Sequence, residues 1–155
     1  MMPLTRLLPL VALCGAAALA TGRAQAELGG AMTGVQTDRV HLSARLRSTT
    51  IGNHIRHEMT LPNGALVHEF TNANGRVYAL TWSGPGKPDL RSLLGNYFAR
   101  LQAGSARLNP RARRMPMQLV RSDVVIQTGG HMGYFWGVAY IPALAPAGFA
   151  VTDLQ

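Results

Sequence analysis

Three side chains on one predicted hairpin have the chemistry of a soft-metal site. His57 and Met59 share one predicted strand, and His68 lies on the next. Asn63-Gly64 between the strands favours a two-residue turn, which sets Met59 opposite His68 and places His57 diagonally across from it. Two imidazoles and a thioether suit copper. No cysteine or His-x-His pattern accompanies them, so the alternative is a pair of locally hydrogen-bonded histidines.

Two further groups have the chemistry of acids or bases. The same register sets Glu58 opposite Glu69 on the other face of the hairpin, and paired carboxylates can split their pKa values for acid–base catalysis. Arginines nearby favour a solvated charge cluster instead. His131 lies in Gly129-Gly-His-Met-Gly133, a segment more typical of a tight turn than of an anion-binding nest. The chain has no Gly-x-Ser-x-Gly, His-Glu-x-x-His or dinucleotide-binding motif, so no cofactor is predicted.

The positive charge of this chain comes almost entirely from arginine. The formal net charge is +8, and Lys87 is the only lysine. Arg107, Arg111, Arg113 and Arg114 cluster in a loop, where they suit an acidic envelope polymer or protein or simply form a solvated surface. No aromatic residues alternate with these arginines, as they do in proteins that bind single-stranded nucleic acid, so no nucleic-acid partner is expected.

The elements that position these groups are strands around one helix. Hydrophobic alternation predicts an α+β fold with an antiparallel sheet of about five strands, in which a three-stranded meander, a helix and a hairpin follow one another. The predicted strands are 54–61, 65–70, a strand through Trp82, 117–128 and 131–141. The predicted turns are Asn63-Gly64, Ala73-Asn74-Gly75 and Gly129-Gly130. One face of the meander then carries the core: His57, Met59, Leu61, Leu66, His68, Phe70, Tyr78, Leu80 and Trp82.

The principal helix is predicted after Pro88-Asp89. Apolar residues recur at helical spacing and define a wide stripe that packs on one face of the sheet: Leu90, Leu93, Leu94, Tyr97, Phe98 and Leu101. Asp89 favours the positive end of this helix, and Gly104 is a candidate stop. The preceding lead, 27–53, contains a segment, 38–47, that fits a short helix and a strand equally well, with helix favoured. Residues 27–37 are expected to be flexible, and 48–53 to form a polar loop. The body, 54–155, is predicted to be a single domain.

Residues 1–26 have the organisation of a signal peptide. Arg6 precedes an apolar run, Leu7 to Ala20, which is shorter than the ~20 residues that span a bilayer. Ala24-Gln25-Ala26 then supplies the small residues of a cleavage site, so the mature chain is expected to begin at Glu27. Cys14 follows a bulky leucine, which disfavours a lipoprotein. The mature chain then has no cysteine and no transmembrane helix, and it is expected in the periplasm or outside the cell.

Several segments resemble a bacterial family, domain of unknown function 2844. The matching segments are Tyr78-Ala-Leu-Thr-Trp-Ser-Gly-Pro85, Pro88-Asp-Leu-Arg-Ser-Leu-Leu-Gly-Asn-Tyr-Phe98, and Gly129-Gly-His-Met132 through Ala139-Tyr-Ile-Pro142. The resemblance implies an exported proteobacterial protein, and it brings no catalytic residue with it. We expect a non-enzymatic binding or accessory module of the cell envelope, whose arginines and free sheet face contact an acidic or extended partner. The alternatives are a copper-like metal-binding protein using His57, Met59 and His68, and an enzyme of unrecognised type.

Overall fold

Seven antiparallel strands form one sheet, with order β1-β2-β3-β4-β7-β6-β5. The computed structural model describes residues 27–106 and 116–154. The strands are β1 (Arg45–Ile51), β2 (His54–Thr60), β3 (Leu66–Thr71), β4 (Val77–Gly84), β5 (Met117–Val120), β6 (Val125–His131) and β7 (Tyr134–Tyr140). The helices are α1 (Gly34–His41), α2 (Leu90–Leu94) and α3 (Phe98–Ala106). The predicted α+β class and the meander–helix–hairpin order are confirmed. The sheet has seven strands, whereas about five were predicted.

One additional strand, β1, comes from a segment whose conformation the sequence left open, and the other comes from the division of one predicted strand. The ambiguous segment 38–47 contains the end of α1 and the start of β1, which continues through the predicted polar loop. β1 is an edge strand, and its residues are exposed except for half-buried Leu46. The predicted strand 117–128 is split by a turn in which the Arg121 N–H donates to the Val124 carbonyl at 2.9 Å. β6 then continues through Gly129-Gly130, and the chain turns at Met132-Gly133 instead.

The lead from Glu27 to Thr33 is fixed to the sheet and the helix, contrary to the predicted flexibility. The Leu28 N–H donates to the Leu93 carbonyl at 2.9 Å, and the Leu28 side chain is buried. Ala31 forms an isolated bridge with Arg76. The ordered body therefore includes the first residues after the predicted cleavage site.

The β2–β3 hairpin has a three-residue loop, Pro62–Gly64, and the predicted two-residue turn is wrong. The Leu61 N–H donates to the Ala65 carbonyl at 2.8 Å, and Gly64 has φ +83°. A two-residue type I′ turn would require positive φ at Asn63 as well, which the structure does not have. The pairing therefore shifts by one residue, and β3 presents each side chain on the face opposite to the predicted one.

The turn Ala73-Asn74-Gly75 is confirmed, but a bulge alters the pairing beyond it. The Asn72 N–H donates to the Arg76 carbonyl at 2.9 Å, as a three-residue loop requires. The register then shifts between Phe70 and Thr71. As a result Tyr78 leaves the predicted core face and packs with Phe70 on the other side of the sheet.

The helices cover one face of the sheet, as predicted. The side chain of Asp89 caps α2 by accepting from the N–H groups of Arg91 and Ser92. The helix is interrupted by a 3₁₀ turn that begins at Gly95, and it continues past the predicted stop at Gly104. The core contains three inner residues of the helix, Leu93, Leu94 and Leu101. They pack with strand residues: Met59, Val67, Leu80, Trp82, Ile126 and Ala139.

Trp82 lies directly on Gly137 of the neighbouring strand, at the centre of this core. A Cβ atom at residue 137 would overlap the indole ring. The absence of a side chain at residue 137 is what lets the indole approach the strand this closely. Trp82 is only 2% exposed, so its ring has little room to move aside.

Substitution of Gly137 by Ala should therefore destabilise the fold by about 1–3 kcal/mol through overpacking. The matched control is Gly104→Ala in α3, where the nearest atom outside the helix lies 3.7 Å from the added Cβ. Because alanine has the higher helix propensity, this control should be neutral or stabilising by up to about 1 kcal/mol. Urea unfolding of both variants measures the difference, and equal stabilities would contradict the packing argument.

Candidate functional site

The structure does not bring the three predicted copper ligands together. His57 and Met59 lie on the helix-covered face, whereas His68 lies on the opposite face of the sheet. The Nδ1 atom of His57 is 2.8 Å from Ser48 Oγ, and its Nε2 atom is 3.2 Å from Thr71 Oγ1. Burial lowers the pKa of His57, which favours its neutral form, and His57 is a hydrogen-bonded core histidine. Within 27–106 and 116–154, no group of three His, Cys, Asp or Glu residues is placed to hold a metal.

The predicted pairing of Glu58 with Glu69 is wrong, because the register places them on opposite faces. Glu58 lies opposite His68, with Oε2 3.4 Å from His68 Nε2. Glu69 lies on the helix side and is completely buried. His131 is exposed near the end of the β6–β7 hairpin, where its ring stacks on Tyr134.

The predicted basic cluster Arg107, Arg111, Arg113 and Arg114 lies outside the described residues, so its role as a partner-binding site remains a prediction. The sites described below are formed by other residues.

A buried pair of carboxyl groups lies between α1 and the sheet. Asp38 on α1 is 1% exposed, and Glu69 on β3 is 0% exposed. The two carboxyls are close enough to influence each other's pKa, and none of their four oxygens has a hydrogen-bond partner among the described residues. Two ionised carboxylates in such a place would repel, which favours a state in which the pair holds a proton.

The charges around the pair do not neutralise it. Burial raises the pKa of Asp38 to about 6, and its interactions with Glu69 and His41 only partly oppose that shift. Glu27 and Asp89 raise it further by repulsion. Burial, and then the charge of Asp38, raise the pKa of Glu69 well above its ordinary value. Every cause that acts on the pKa of Glu69 raises it, whereas two of the causes that act on the pKa of Asp38 lower it.

Sequence reasoning missed this pair. Asp38 lies in the middle of α1 and faces the sheet, whereas the sequence predicted only that its segment, 38–47, fits a helix and a strand equally well. Glu69 was assigned to solvent through the incorrect register. The one available signal was that Val35 and Asp38 lie on the same side of a short helix, which indicates that Asp38 is buried. This signal points to Glu69 only when it is known which side chains of β3 face the helices.

Among residues 27–106 and 116–154, few pack on the other face of the sheet, and we call it the open face. Strand pairing aligns its side chains in rows that run across the strands. The first row is Trp136, Ser83, Leu66, Thr60 and Arg45. The second row is Val138, Thr81, His68, Glu58 and Arg47. Each row therefore leads from the middle of the sheet to an exposed arginine on edge strand β1.

The C-terminal segment limits the open face on one side. Phe149 and Leu154 pack on Phe70, Tyr78 and Tyr140, so the next row is covered where it crosses β7, β4 and β3. A cleft of about 320 Å³ remains between this segment and the first two rows. Its lining includes Leu66, His68, Thr81, Ser83 and Val151. The cleft thus combines apolar surface with two hydroxyl groups and an imidazole.

A family model described as "Protein of unknown function (DUF2844)" matches residues 24–154. The chain belongs to this family. The match covers all the described elements of this DUF2844 protein, including the buried pair and the open face. No curated protein and no solved structure matches the chain. Among the described residues, no helix has the length and apolar composition needed to cross a bilayer.

Substitution of Asp38 by Asn should stabilise the protein increasingly as pH rises. A carboxyl whose pKa is raised on folding contributes stability below its unfolded pKa and loses it as pH rises through the folded pKa. The rise from 3.8 to about 6 corresponds to about 3 kcal/mol, which the wild-type protein loses between about pH 4 and pH 7. The free energy of unfolding of Asp38→Asn, relative to wild type, should therefore be higher at pH 8 than at pH 5. Urea unfolding at the two pH values measures this difference.

The matched control is Asp123→Asn, because Asp123 is a partly exposed carboxylate paired with Arg100. This control should show little change relative to wild type between pH 5 and pH 8. If Asp38→Asn and Asp123→Asn have the same pH dependence, the buried pair does not share a proton.

Proposed function

We propose that this DUF2844 protein is an exported, non-enzymatic binding module of the bacterial cell envelope, and that its open face holds an extended acidic partner. The observation that carries the proposal is the alignment of the first two rows with Arg45 and Arg47 at their ends. Helices cover the opposite face, so recognition falls to the side that the fold leaves accessible.

The charge of the open face favours an anionic partner. Arg45 and Arg47 are two residues apart on one strand, which separates their Cα atoms by about 7 Å. Arg56, on the neighbouring strand and the same face, lies opposite Thr49. Glu58 is the carboxylate of these rows, and His68 beside it forms its ion-pair partner when protonated. The arginines therefore leave an excess of positive charge at the β1 side of this face.

The shape of the open face favours an extended partner. The two rows cross five strands, from β7 to β1, so the distance from Trp136 to Arg45 is about 19 Å at ordinary strand spacing. A compact anion would contact one end only. A chain lying across the strands would contact the exposed tryptophan, the cleft and the arginines together.

Binding to acidic polymers tests this proposal. The mature chain, 27–155, should bind poly-L-glutamate or polygalacturonate more tightly than neutral dextran, and the affinity should fall as salt screens the charges. Arg45→Gln with Arg47→Gln should weaken binding about tenfold, which corresponds to about 1.4 kcal/mol. Affinity electrophoresis or calorimetry would measure the change.

The charge-matched control is Arg39→Gln with Arg121→Gln, since both arginines are exposed and lie outside the two rows. The control should retain nearly wild-type affinity. If the two double variants lost equal affinity, the interaction would depend on the net charge of the protein and not on the two rows. The absence of binding to either polymer would overturn the proposed function.

Export is tested separately, by the mass of the protein recovered from cell fractions. When the full chain is expressed in a bacterium, the periplasmic or secreted form should begin at Glu27, because cleavage follows Ala24-Gln25-Ala26. Ala26→Arg should block processing, since the cleavage site needs a small residue there. Recovery of uncleaved chain in the cytoplasm, or of a form lipidated at Cys14, would contradict the prediction.

A further inference from the structure

We propose that the acidic partner is a polysaccharide, which stacks a sugar ring on Trp136 and places its acidic groups at Arg45 and Arg47. This inference rests on the proposed function and names the chemical class of the ligand. It is carried by an exposed indole held against the sheet, by the hydroxyl groups that follow it in the first row, and by the arginines at the far end.

Trp136 forms a platform on the open face. Its indole lies on the backbone of Gly129 in the adjacent strand, where a Cβ atom would come within 2.7 Å of Trp136 Cζ2. The side chain is nevertheless 38% exposed, so it is supported from below and accessible to solvent. The electron-rich face of an aromatic ring attracts the partly positive C–H groups of a sugar ring, and it also gains from covering their apolar surface.

A second aromatic group extends this platform. Tyr134 follows the same face of β7 and is 44% exposed. The rings of Tyr134 and His131 stack with centroids 6.1 Å apart and an interplanar angle of 25°. The exposed aromatic surface thus spans two strands, β6 and β7, and offers more than one position for a sugar ring.

The groups between the platform and the arginines suit a polyhydroxylated chain. Ser83 and Thr60 alternate with Leu66 along the first row, and Thr81 with His68 borders it in the second. Hydroxyl groups both donate and accept, which matches the hydroxyls of a sugar. The cleft lies over this part of the rows, so a chain leaving Trp136 toward Arg45 passes through a depression in the surface.

An acidic polypeptide would use only part of this surface. Its carboxylates would reach the arginines, but a backbone with Asp or Glu side chains has no ring to place on Trp136. A bilayer would favour the most protruding apolar residue, Met132, which is 96% exposed at the turn of the β6–β7 hairpin. The indole, the hydroxyls and the arginines in one row together favour an acidic polysaccharide.

The test compares three probes on the mature chain: polygalacturonate, poly-L-glutamate, and vesicles of an anionic phospholipid. We expect polygalacturonate to bind about tenfold more tightly than poly-L-glutamate at equal charge concentration. Trp136→Leu should remove this preference while leaving poly-L-glutamate binding within about twofold. Met132→Ala is the matched control, because it removes exposed apolar surface from the same hairpin outside the rows.

A second measurement does not depend on the stability of the Trp136 variant. Oligogalacturonate should protect wild-type tryptophan fluorescence from acrylamide, because Trp136 is exposed and Trp82 is buried. Trp136→Phe, which preserves an aromatic ring, should retain part of the affinity and lose the protection signal.

The outcomes separate this inference from the proposed function. Equal affinity for the two polymers, with no effect of Trp136→Leu and no acrylamide protection, would overturn the polysaccharide and leave an acidic-polymer module. Preferential binding to vesicles that is lost in Met132→Ala would overturn it in favour of a membrane surface. Binding to none of the three probes would overturn both proposals.

Discussion

The loop Pro62–Gly64 sets the register between β2 and β3, and the polar groups on these strands take their side of the sheet from that register. Successive side chains alternate between the two faces, so a change of one residue would exchange them all. With Leu61 opposite Ala65, Glu69 points to the helix side and His68 to the open face beside Glu58. A loop one residue shorter would place His68 in the core and Glu69 in solvent. The buried pair and the open face therefore depend on the same loop length and strand register.

The sheet uses one packing device twice, with different results on its two faces. On the helix side Trp82 lies on Gly137, and on the open face Trp136 lies on Gly129. In both cases the absence of a Cβ lets an indole rest on the neighbouring strand. Trp82 is then sealed by the helices, whereas Trp136 remains accessible. Whether helices cover the ring, rather than its residue type or strand pairing, decides which tryptophan stabilises the core and which is available to a ligand.

Local features of the fold were predictable because neighbouring residues determine them. The sequence predicted the start of the principal helix at Asp89, its apolar stripe and the turn at Ala73-Asn74-Gly75. Asn63-Gly64, in contrast, is compatible with two loop lengths, and the choice between them depends on how β3 meets the core. The bulge at Phe70 also depends on tertiary packing. β1 escaped detection because an exposed edge strand needs no alternation.

The candidate sites were less predictable still, because each joins residues that are distant in sequence. To predict the first row, one must know the register of four successive strand pairs. An error of one residue in any of these registers places the wrong side chains in the row.

Burial shifts the pKa values of two acids and two histidines of this protein in opposite directions. Desolvation disfavours the charged form, so it raises the pKa of Asp38 and Glu69 and lowers that of His57 and His68. The acids lose stability as pH rises from about 4 through their raised values. The histidines lose stability as pH falls below their ordinary value of 6.5. The two effects oppose each other in mildly acidic solution, so a flat pH profile of the whole protein would conceal both. Only removal of one member of the buried pair separates them, because Asp38→Asn keeps the shape of the site and leaves the histidine contribution alone.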